Sequence, residues 1–176
     1  IAEVTIVTTP TDDTTPDYTF SSDEAGIITY GGSCSSKTIS AISINNTIIL
    51  YSLKDGTYSD STITVTDTAG NASNSLIITP FTVYTRAPVI AEVTFVTTPT
   101  NDTTPIYTFS SDEAGIITYG GSCSSSTTSA ISENNTITLV SLSDGTYSDC
   151  TIIVTDTAGN ASNTLAISSF EVNTGE

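Results

Sequence analysis

The sequence predicts an all-β fold, built as two tandem Greek-key β-sandwiches of about seven strands each. Thr and Ser supply 62 of the 176 residues, whereas Lys and Arg together supply three and Met none, so helix formers are scarce. Runs rich in Val, Ile, Thr, Tyr and Phe alternate with Pro, Gly, Asp and Asn at the spacing typical of sandwiches. A shift of 89 residues matches the chain with itself at 68 of the 87 paired positions. We therefore predict two domains, at 1–87 and 88–176.

The first repeat is expected to form seven strands, because seven β-prone runs stand between turn residues. They lie near 4–7, 18–22, 27–30, 38–43, 47–52, 57–66 and 76–83. Residues two apart face the same side of a strand, so the alternation of apolar residues indicates the inward faces. The inward pairs are Val4 and Ile6, Tyr18 and Phe20, Ile48 and Leu50, and Ile63 and Val65.

The last predicted strand breaks the alternation. Leu76 and Ile78 share one parity and Phe81 and Val83 the other, so burying all four requires an extra residue between them. We therefore predict a bulge at Thr79 and Pro80. Proline cannot donate a ladder hydrogen bond, which is consistent with a bulge or with a switch between sheets.

Differences between the repeats indicate the outward positions. Ile44 is replaced by Glu133, Ile49 by Thr138 and Thr64 by Ile153. Exchanges between apolar and polar side chains are tolerated where the side chain faces solvent.

Composition excludes several classes of function. The net charge of −16 disfavours nucleic acids and anionic lipid surfaces as partners, and no apolar run is long enough for a membrane span. The absence of His removes the usual general base, and the adjacent Asp23 and Glu24 cannot face each other across a cleft as a hydrolase pair does. We expect no enzyme activity. Because the chain contains no Met, we expect a processed form or a piece of a longer protein.

Two motifs occur in each repeat. Leu53-Lys54-Asp55-Gly56-Thr57-Tyr58 precedes Asp67-Thr68-Ala69-Gly70-Asn71, and the second repeat has Leu142-Ser143-Asp144-Gly145-Thr146-Tyr147 followed by Asp156-Thr157-Ala158-Gly159-Asn160. The chain thereby resembles, from end to end, the bacterial immunoglobulin-like (Big-type) tandem repeats of large extracellular adhesins and surface arrays. The resemblance implies immunoglobulin-like Greek-key sandwiches at the cell surface.

The motif residues suit structural roles. Asp67, Gly70 and Asn71 are typical of a tight turn that needs a side-chain acceptor and a positive φ angle. Tyr58 and Tyr147 are expected to bond a nearby backbone group, as tyrosine corners do.

The cysteines indicate one disulfide. Cys34 matches Cys123, but Cys150 matches Ser61, so only the second repeat holds a pair. Cys150 shares the inward parity of Ile152, and Cys123 follows the strand that neighbours it in a sandwich of this type, so we predict a Cys123–Cys150 disulfide and an oxidising compartment. Three roles remain for Cys34, namely a buried inert thiol, a cross-link to another chain, or a catalytic nucleophile. The last fits least well, because the sequence offers no base to activate the thiol.

Acidic residues gather where connections meet at one pole of each predicted sandwich. Asp23, Glu24 and Asp67 do so in the first repeat, and Asp112, Glu113 and Asp156 in the second. In a head-to-tail stack such carboxylates would approach the neighbouring domain, and calcium is the first candidate counter-charge. No calcium-loop motif is present to assign the ligands.

Arg86 offers a second counter-charge in the linker. It is one of only three basic residues and precedes Pro88, which is expected to stiffen the connection. We predict that the guanidinium pairs with Asp112, Glu113 or Asp156; the alternative is a solvated arginine.

Asn-x-Ser/Thr triplets mark candidate glycosylation sites at predicted loops and strand ends. They begin at Asn45, Asn71, Asn101, Asn134 and Asn160.

Three functions fit these observations. The first is a rigid spacer or stalk module of a bacterial surface adhesin or fibre, whose partners are neighbouring repeats of the same protein or identical subunits. The second is a filament subunit joined by strand insertion. The third is a carbohydrate-binding module using exposed aromatic residues of the first repeat, namely Tyr30, Tyr51 and Tyr84.

Overall fold

The computed structural model describes residues 1–175, and every regular element in that part of the chain is a β-strand. The chain divides into two compact units, Ile1–Thr85 and Arg86–Glu176, so the division falls two residues before the predicted one. Within residues 1–175, no helix has the length and apolar character needed to span a bilayer.

Unit 1 contains nine strands. They are β1 (Ala2–Thr5), β2 (Asp17–Ser22), β3 (Gly26–Gly31), β4 (Ser40–Ala41), β5 (Ile44–Ile49), β6 (Gly56–Tyr58), β7 (Thr62–Thr66), β8 (Leu76–Ile77) and β9 (Phe81–Val83).

Unit 2 repeats them in the same order. Its strands are β10 (Ile90–Thr94), β11 (Ile106–Ser111), β12 (Gly115–Gly120), β13 (Ser129–Ala130), β14 (Glu133–Thr138), β15 (Gly145–Tyr147), β16 (Thr151–Thr155), β17 (Leu165–Ala166) and β18 (Phe170–Val172).

Each unit is a sandwich of antiparallel sheets. In unit 1 a three-stranded sheet has the order β1-β2-β5, a four-stranded sheet has the order β4-β3-β7-β8, and β6 pairs with β9. Unit 2 has the corresponding orders β10-β11-β14, β13-β12-β16-β17 and β15-β18. The short fourth strand pairs with the third in both units. The prediction of two all-β sandwiches is confirmed.

Two of the predicted strands are divided. The strand expected over 57–66 forms β6 and β7, and the one expected over 76–83 forms β8 and β9. β7 pairs with β8 in the four-stranded sheet, whereas Tyr58 of β6 pairs with Phe81 of β9 in a separate ladder. The chain therefore switches sheets at Thr79 and Pro80 and does not form the predicted bulge within one strand; a switch is the alternative with which Pro80 was also consistent. Ile78, Phe81 and Val83 are buried and Leu76 is half-buried.

The core follows the predicted alternation except in the first strand. Tyr18, Phe20, Ile48, Leu50, Ile63 and Val65 are buried, as are their counterparts in unit 2. The expectation for Val4 and Ile6 was wrong, because these side chains are 48% and 53% exposed. The register of β1 against β2 shifts between Glu3 and Thr5, so the strand does not keep a regular alternation, and Val7 is buried instead.

The predicted outward positions are largely correct. Ile44 and Ile49 are exposed, while Thr64 and Ile153 are half-buried. Ile44 and Glu133 also have positive φ angles, of 110° and 121°, which are rare for residues other than glycine. In both units a buried asparagine supports this turn; in unit 1 Asn46 accepts from the Ile42 amide at 2.8 Å and donates to the carbonyls of Ile42 and Ile44.

Candidate functional site

The Asp67 turn joins β7 to β8 and closes on its own side chain. The Asp67 Oδ1 atom accepts from the amides of Ala69 and Asn71 at 2.8 Å, and the Asn71 Nδ2 donates to Oδ2 at 2.8 Å. Gly70 has the positive φ angle, 92°, that the turn requires. Hydrogen bonds from the Asn71 side chain and then from backbone amides lower the pKa of the Asp67 carboxyl. The predicted turn role of these residues is confirmed.

An acidic cleft lies beside this turn in unit 1. Asp23 and Glu24, which follow β2, line a cleft of about 140 Å³ together with Asp67 and Asn71. The structure therefore brings together the acidic residues that the sequence assigned to one pole of the first repeat. In unit 2 the equivalent turn has the same internal bonds, since Asp156 Oδ1 accepts from the Asn160 amide at 2.9 Å and Oδ2 from its Nδ2 at 2.9 Å.

These residues fit a metal ion poorly. Among residues 1–175 no group of three or more acidic or cysteine side chains is arranged to hold a metal ion. The Asp67 oxygens already accept from three N–H donors, which leaves few of the carboxylate's lone pairs for a calcium ion. Calcium binding through Asp23, Glu24, Asp67, Asp112, Glu113 and Asp156 stays a prediction, for which melting with calcium and with chelator is the test.

Arg86 lies at the start of unit 2, against the acidic pair that follows β11. Its Nη2 atom is 2.6 Å from Asp112 Oδ2 and its Nη1 atom is 3.3 Å from Glu113 Oε1. Asp112 Oδ1 also accepts from the Val89 amide at 2.7 Å, and the Asp112 amide donates to the Val89 carbonyl at 3.2 Å. The segment that contains Pro88 is thus bonded to this acidic turn at two points.

The cysteines occupy equivalent places in the two cores. In unit 2 Cys123 and Cys150 form a disulfide with Cα atoms 5.2 Å apart. In unit 1 Cys34 is a buried free thiol, and its amide donates to the buried Ser61 Oγ at 3.1 Å. Burial raises the pKa of the Cys34 thiol, which keeps it protonated and unreactive at neutral pH.

A carboxylate that the sequence interpretation missed joins the first strand to the sheet switch. Glu3 Oε2 accepts from the Tyr18 hydroxyl at 2.9 Å and the Thr79 amide at 3.0 Å, and Oε1 accepts from the Thr79 hydroxyl at 2.6 Å. Burial alone would raise the pKa of Glu3, but these hydrogen bonds outweigh it and lower the pKa. Glu92 makes the same contacts with Tyr107 and Ser168. The sequence signal that could have revealed this contact was the exchange of Thr79 for Ser168 between the repeats, because it keeps a hydroxyl group.

The tyrosine corners are confirmed. The Tyr58 hydroxyl donates to the Lys54 carbonyl at 2.9 Å and accepts from the Lys54 amide at 3.0 Å, while Tyr147 donates to the Ser143 carbonyl at 2.9 Å. Of the tyrosines considered for sugar binding, Tyr30 is half-buried and donates to the Thr38 carbonyl, whereas Tyr51 is 54% exposed. Tyr84 is half-buried.

The candidate glycosylation sites differ in accessibility. Asn45, Asn101 and Asn134 are exposed. Asn71 and Asn160 donate their side-chain amides to Asp67 and Asp156, and Asn160 is only 9% exposed, so a glycan there would disrupt the turn.

Comparisons with known proteins concern the fold. No protein-family model and no curated protein matches the sequence. Fibronectin(III)-like modules of CbhA from Clostridium thermocellum are similar in structure, with a TM-score of 0.51 and 12% identity over 96% of this chain and 90% of that one.

Two further solved structures align at lower scores. The D00-D0 domain of Intimin gives 0.32 at 14% identity, over 93% of this chain and 96% of that one. The Bacteroides ovatus protein SGBP-B, solved with a mixed-linkage heptasaccharide, gives 0.29 at 20% identity, over 97% of this chain and 45% of that one. On the similarity to the CbhA modules, the chain has an immunoglobulin-like sandwich fold of the kind found in fibronectin(III)-like modules. Membership of the Big-type family stays a prediction.

Proposed function

We propose that this chain is a structural, non-enzymatic part of an extracellular bacterial protein, in which its two units act as rigid spacer modules of a surface adhesin or fibre. Its partners are then neighbouring repeats of the same protein.

One observation carries the proposal, namely that the chain enters and leaves each unit at opposite poles. The Ile1 amine donates to Asn74 Oδ1 at 2.8 Å, beside the β7–β8 connection. The Thr85 amide donates to Asp55 Oδ1 at 3.2 Å, beside the β5–β6 connection. In β2 and β5 the pair Ser22–Ile44 lies at the first pole and Asp17–Ile49 at the second. A module with this path adds its own length to the chain.

The first and last parts of each unit are also bonded directly to each other. The Thr11 amide donates to the Thr82 carbonyl at 3.0 Å and the Tyr84 amide to the Thr11 carbonyl at 2.9 Å, around a parallel bridge between Thr11 and Val83. Thr100 makes the same two bonds in unit 2, with Glu171 and Asn173. When the ends are pulled apart, these bonds are loaded together rather than one after another, which suits a module that carries tension.

Two further features support the proposal. Disulfides such as Cys123–Cys150 persist in oxidising surroundings, which fits an extracellular location. The Glu3, Asp67 and Asp156 carboxylates are bonded to the protein's own amides and hydroxyls, as expected of groups with a structural role.

Single-molecule pulling tests the spacer role. Under oxidising conditions unit 2 should release 27 fewer residues than it does when the disulfide is reduced, a contour length about 90 Å shorter, so its unfolding event can be told apart from that of unit 1. Thr11→Pro removes one amide donor of the terminal contact and should lower the unfolding force of unit 1 alone. Thr100→Pro is the matched variant for unit 2. Unchanged forces in both variants would show that this contact carries no load.

Sedimentation separates the spacer from the filament subunit. A spacer fragment is expected to remain a monomer at all concentrations. A subunit joined by strand insertion would oligomerise through exposed strand edges.

A further inference from the structure

The acidic turn of unit 2, formed by Asp112 and Glu113, binds the short segment 86–89. Asp112 binds three groups of this segment. One carboxylate oxygen binds the Arg86 guanidinium, the other accepts from the Val89 amide, and the Asp112 amide donates to the Val89 carbonyl. Glu113 adds a second carboxylate against the guanidinium. Ala87 precedes Pro88, which disfavours helical backbone and keeps the segment extended.

Unit 1 contains the same acidic turn in the same conformation. The Ser22 hydroxyl donates to the Glu24 carbonyl at 2.6 Å, as Ser111 does to Glu113 at 2.6 Å. The Ser43 hydroxyl donates to the Asp23 carbonyl at 2.8 Å, and Ser132 matches it on Asp112 at 2.9 Å. Within residues 1–175 the Asp23 and Glu24 carboxylates have no hydrogen-bond or ion-pair partner, and they line the open acidic cleft.

Ile1 and Ile90, at the entry to the first strand of each unit, make the same contacts with an asparagine side chain. The Ile90 amide donates to Asn163 Oδ1 at 3.0 Å and the Asn163 Nδ2 donates to the Ile90 carbonyl at 3.0 Å. Ile1 makes both contacts with Asn74, at 2.8 and 3.0 Å. A segment that approaches Ile1 as residues 86–89 approach Ile90 would therefore reach Asp23.

We propose that Asp23 and Glu24 form a docking site for an extended, arginine-bearing segment of the type Arg-Ala-Pro-Val. The guanidinium binds both carboxylates, and the valine backbone binds Asp23 as Val89 binds Asp112. Two adjacent carboxylates suit the several N–H donors of a guanidinium better than the single charge of a lysine. The inference rests on the modular role proposed above, but its test measures binding rather than mechanical load.

The first arm of the experiment supplies the segment in the same chain. Tyr-Thr-Arg-Ala-Pro-Val, the sequence of residues 84–89, is fused ahead of Ile1 of the full chain, and the control leader has alanine in place of arginine. The added valine amide should exchange about threefold more slowly behind the arginine leader, as expected for an exposed ion pair. Asp23→Asn should abolish the difference, and 1 M salt should reduce it strongly. Val89 in the same molecule is the internal reference, and Asp112→Asn should accelerate its exchange.

The second arm supplies the segment from another molecule. The free peptide acetyl-Thr-Arg-Ala-Pro-Val-amide is titrated into the unmodified chain while the Asp23 and Glu24 amide signals are followed by NMR. A response only to the fused leader assigns the site to a covalently adjoining segment, and a response to both leader and peptide shows that it also accepts other molecules. Equal behaviour of the arginine and alanine leaders, with no response to the peptide, overturns the proposal. A spacer that carries load without this docking would still unfold as described above, so the two proposals fail separately.

Discussion

The cores of unit 1 and unit 2 share one arrangement but differ in how two of their buried positions are joined. Cys34 and Ser61 of unit 1 are joined by a hydrogen bond from the Cys34 amide to the serine hydroxyl, whereas Cys123 and Cys150 of unit 2 are joined covalently. All four residues are buried, and the strands around them have the same order and register. The fold therefore specifies the proximity of the two positions, and one atom of one side chain decides whether they are cross-linked.

The largest expected effect is obtained by exchanging this atom. Cys150→Ser should lower the free energy of unfolding of unit 2 by about 3 to 4 kcal/mol, because the disulfide closes a loop with a sequence separation of 27. Ser61→Cys should stabilise unit 1 by a similar amount under oxidising conditions. Amide exchange resolved by NMR reports each unit separately, and reducing conditions are the control. Failure of Ser61→Cys to form a disulfide would show that the two cores differ in geometry.

The tyrosine corners should stabilise both units. Tyr58→Phe removes the hydroxyl that bonds both the amide and the carbonyl of Lys54, so we expect a loss of about 1 to 2 kcal/mol in unit 1. The ring stays stacked on Phe81, with centroids 5.4 Å apart, which limits the effect to the hydroxyl. Tyr147→Phe is the matched variant, and denaturant unfolding measures both. Unchanged unfolding in both variants would contradict a stabilising role for the corners.

A smaller and opposite effect is expected at the strained turn. Ile44→Gly should stabilise unit 1 by about 1 kcal/mol, because the positive φ angle of 110° disfavours a β-branched residue and glycine adopts it freely. Glu133→Gly in unit 2 should gain less, since glutamate is not β-branched. Thermal unfolding of the two variants measures the difference, and a destabilised Ile44→Gly would contradict the role of strain.

The smallest effect is a difference in pH dependence. Burial raises the pKa of the Cys34 thiol above its usual value of 9.0, so the stability that its protonated form contributes is retained below that pH and is lost as the pH rises above it, in unit 1 only. Amide-exchange-derived stability should therefore fall more in unit 1 than in unit 2 above about pH 9, and Cys34→Ala should remove the excess.

Acid provides the control for that measurement. The pKa values of Glu3 and Glu92 are lowered in the folded state, so their contribution is retained above the usual value of 4.5 and is lost in both units as the pH falls below it. Unequal acid sensitivity would show that the two carboxylate clusters, despite the same contacts, are not equivalent.

Features that depend on residues close in the sequence could be predicted, whereas features that depend on distant contacts could not. Tyr18, Phe20, Ile48 and Leu50 follow a period of two, so their burial could be derived from the sequence. The Asp67 turn depends on contacts within four residues, and its chemistry was equally accessible. The exposure of Val4 could not be derived in this way, because the register of β1 on β2 shifts between Glu3 and Thr5.

The same distinction applies to the acidic residues of the candidate site. That Asp23, Glu24 and Asp67 meet at one pole could be predicted from the strand order of a sandwich. What faces the Asp23 and Glu24 carboxylates could not, because the strand order specifies where these side chains lie but not which groups meet them.

The number of repeats, the β class, the positions of most turns and the cysteine pair that a disulfide could join can all be derived from the amino-acid sequence, because each of these depends on local propensity or on comparison of the repeats. The bond between Glu3 and Thr79, 76 residues apart, and the division of two predicted strands between sheets are evident only in the folded protein. Carboxylate hydrogen bonds and sheet switches depend on which backbone groups meet in space, and an alternating pattern does not encode that meeting.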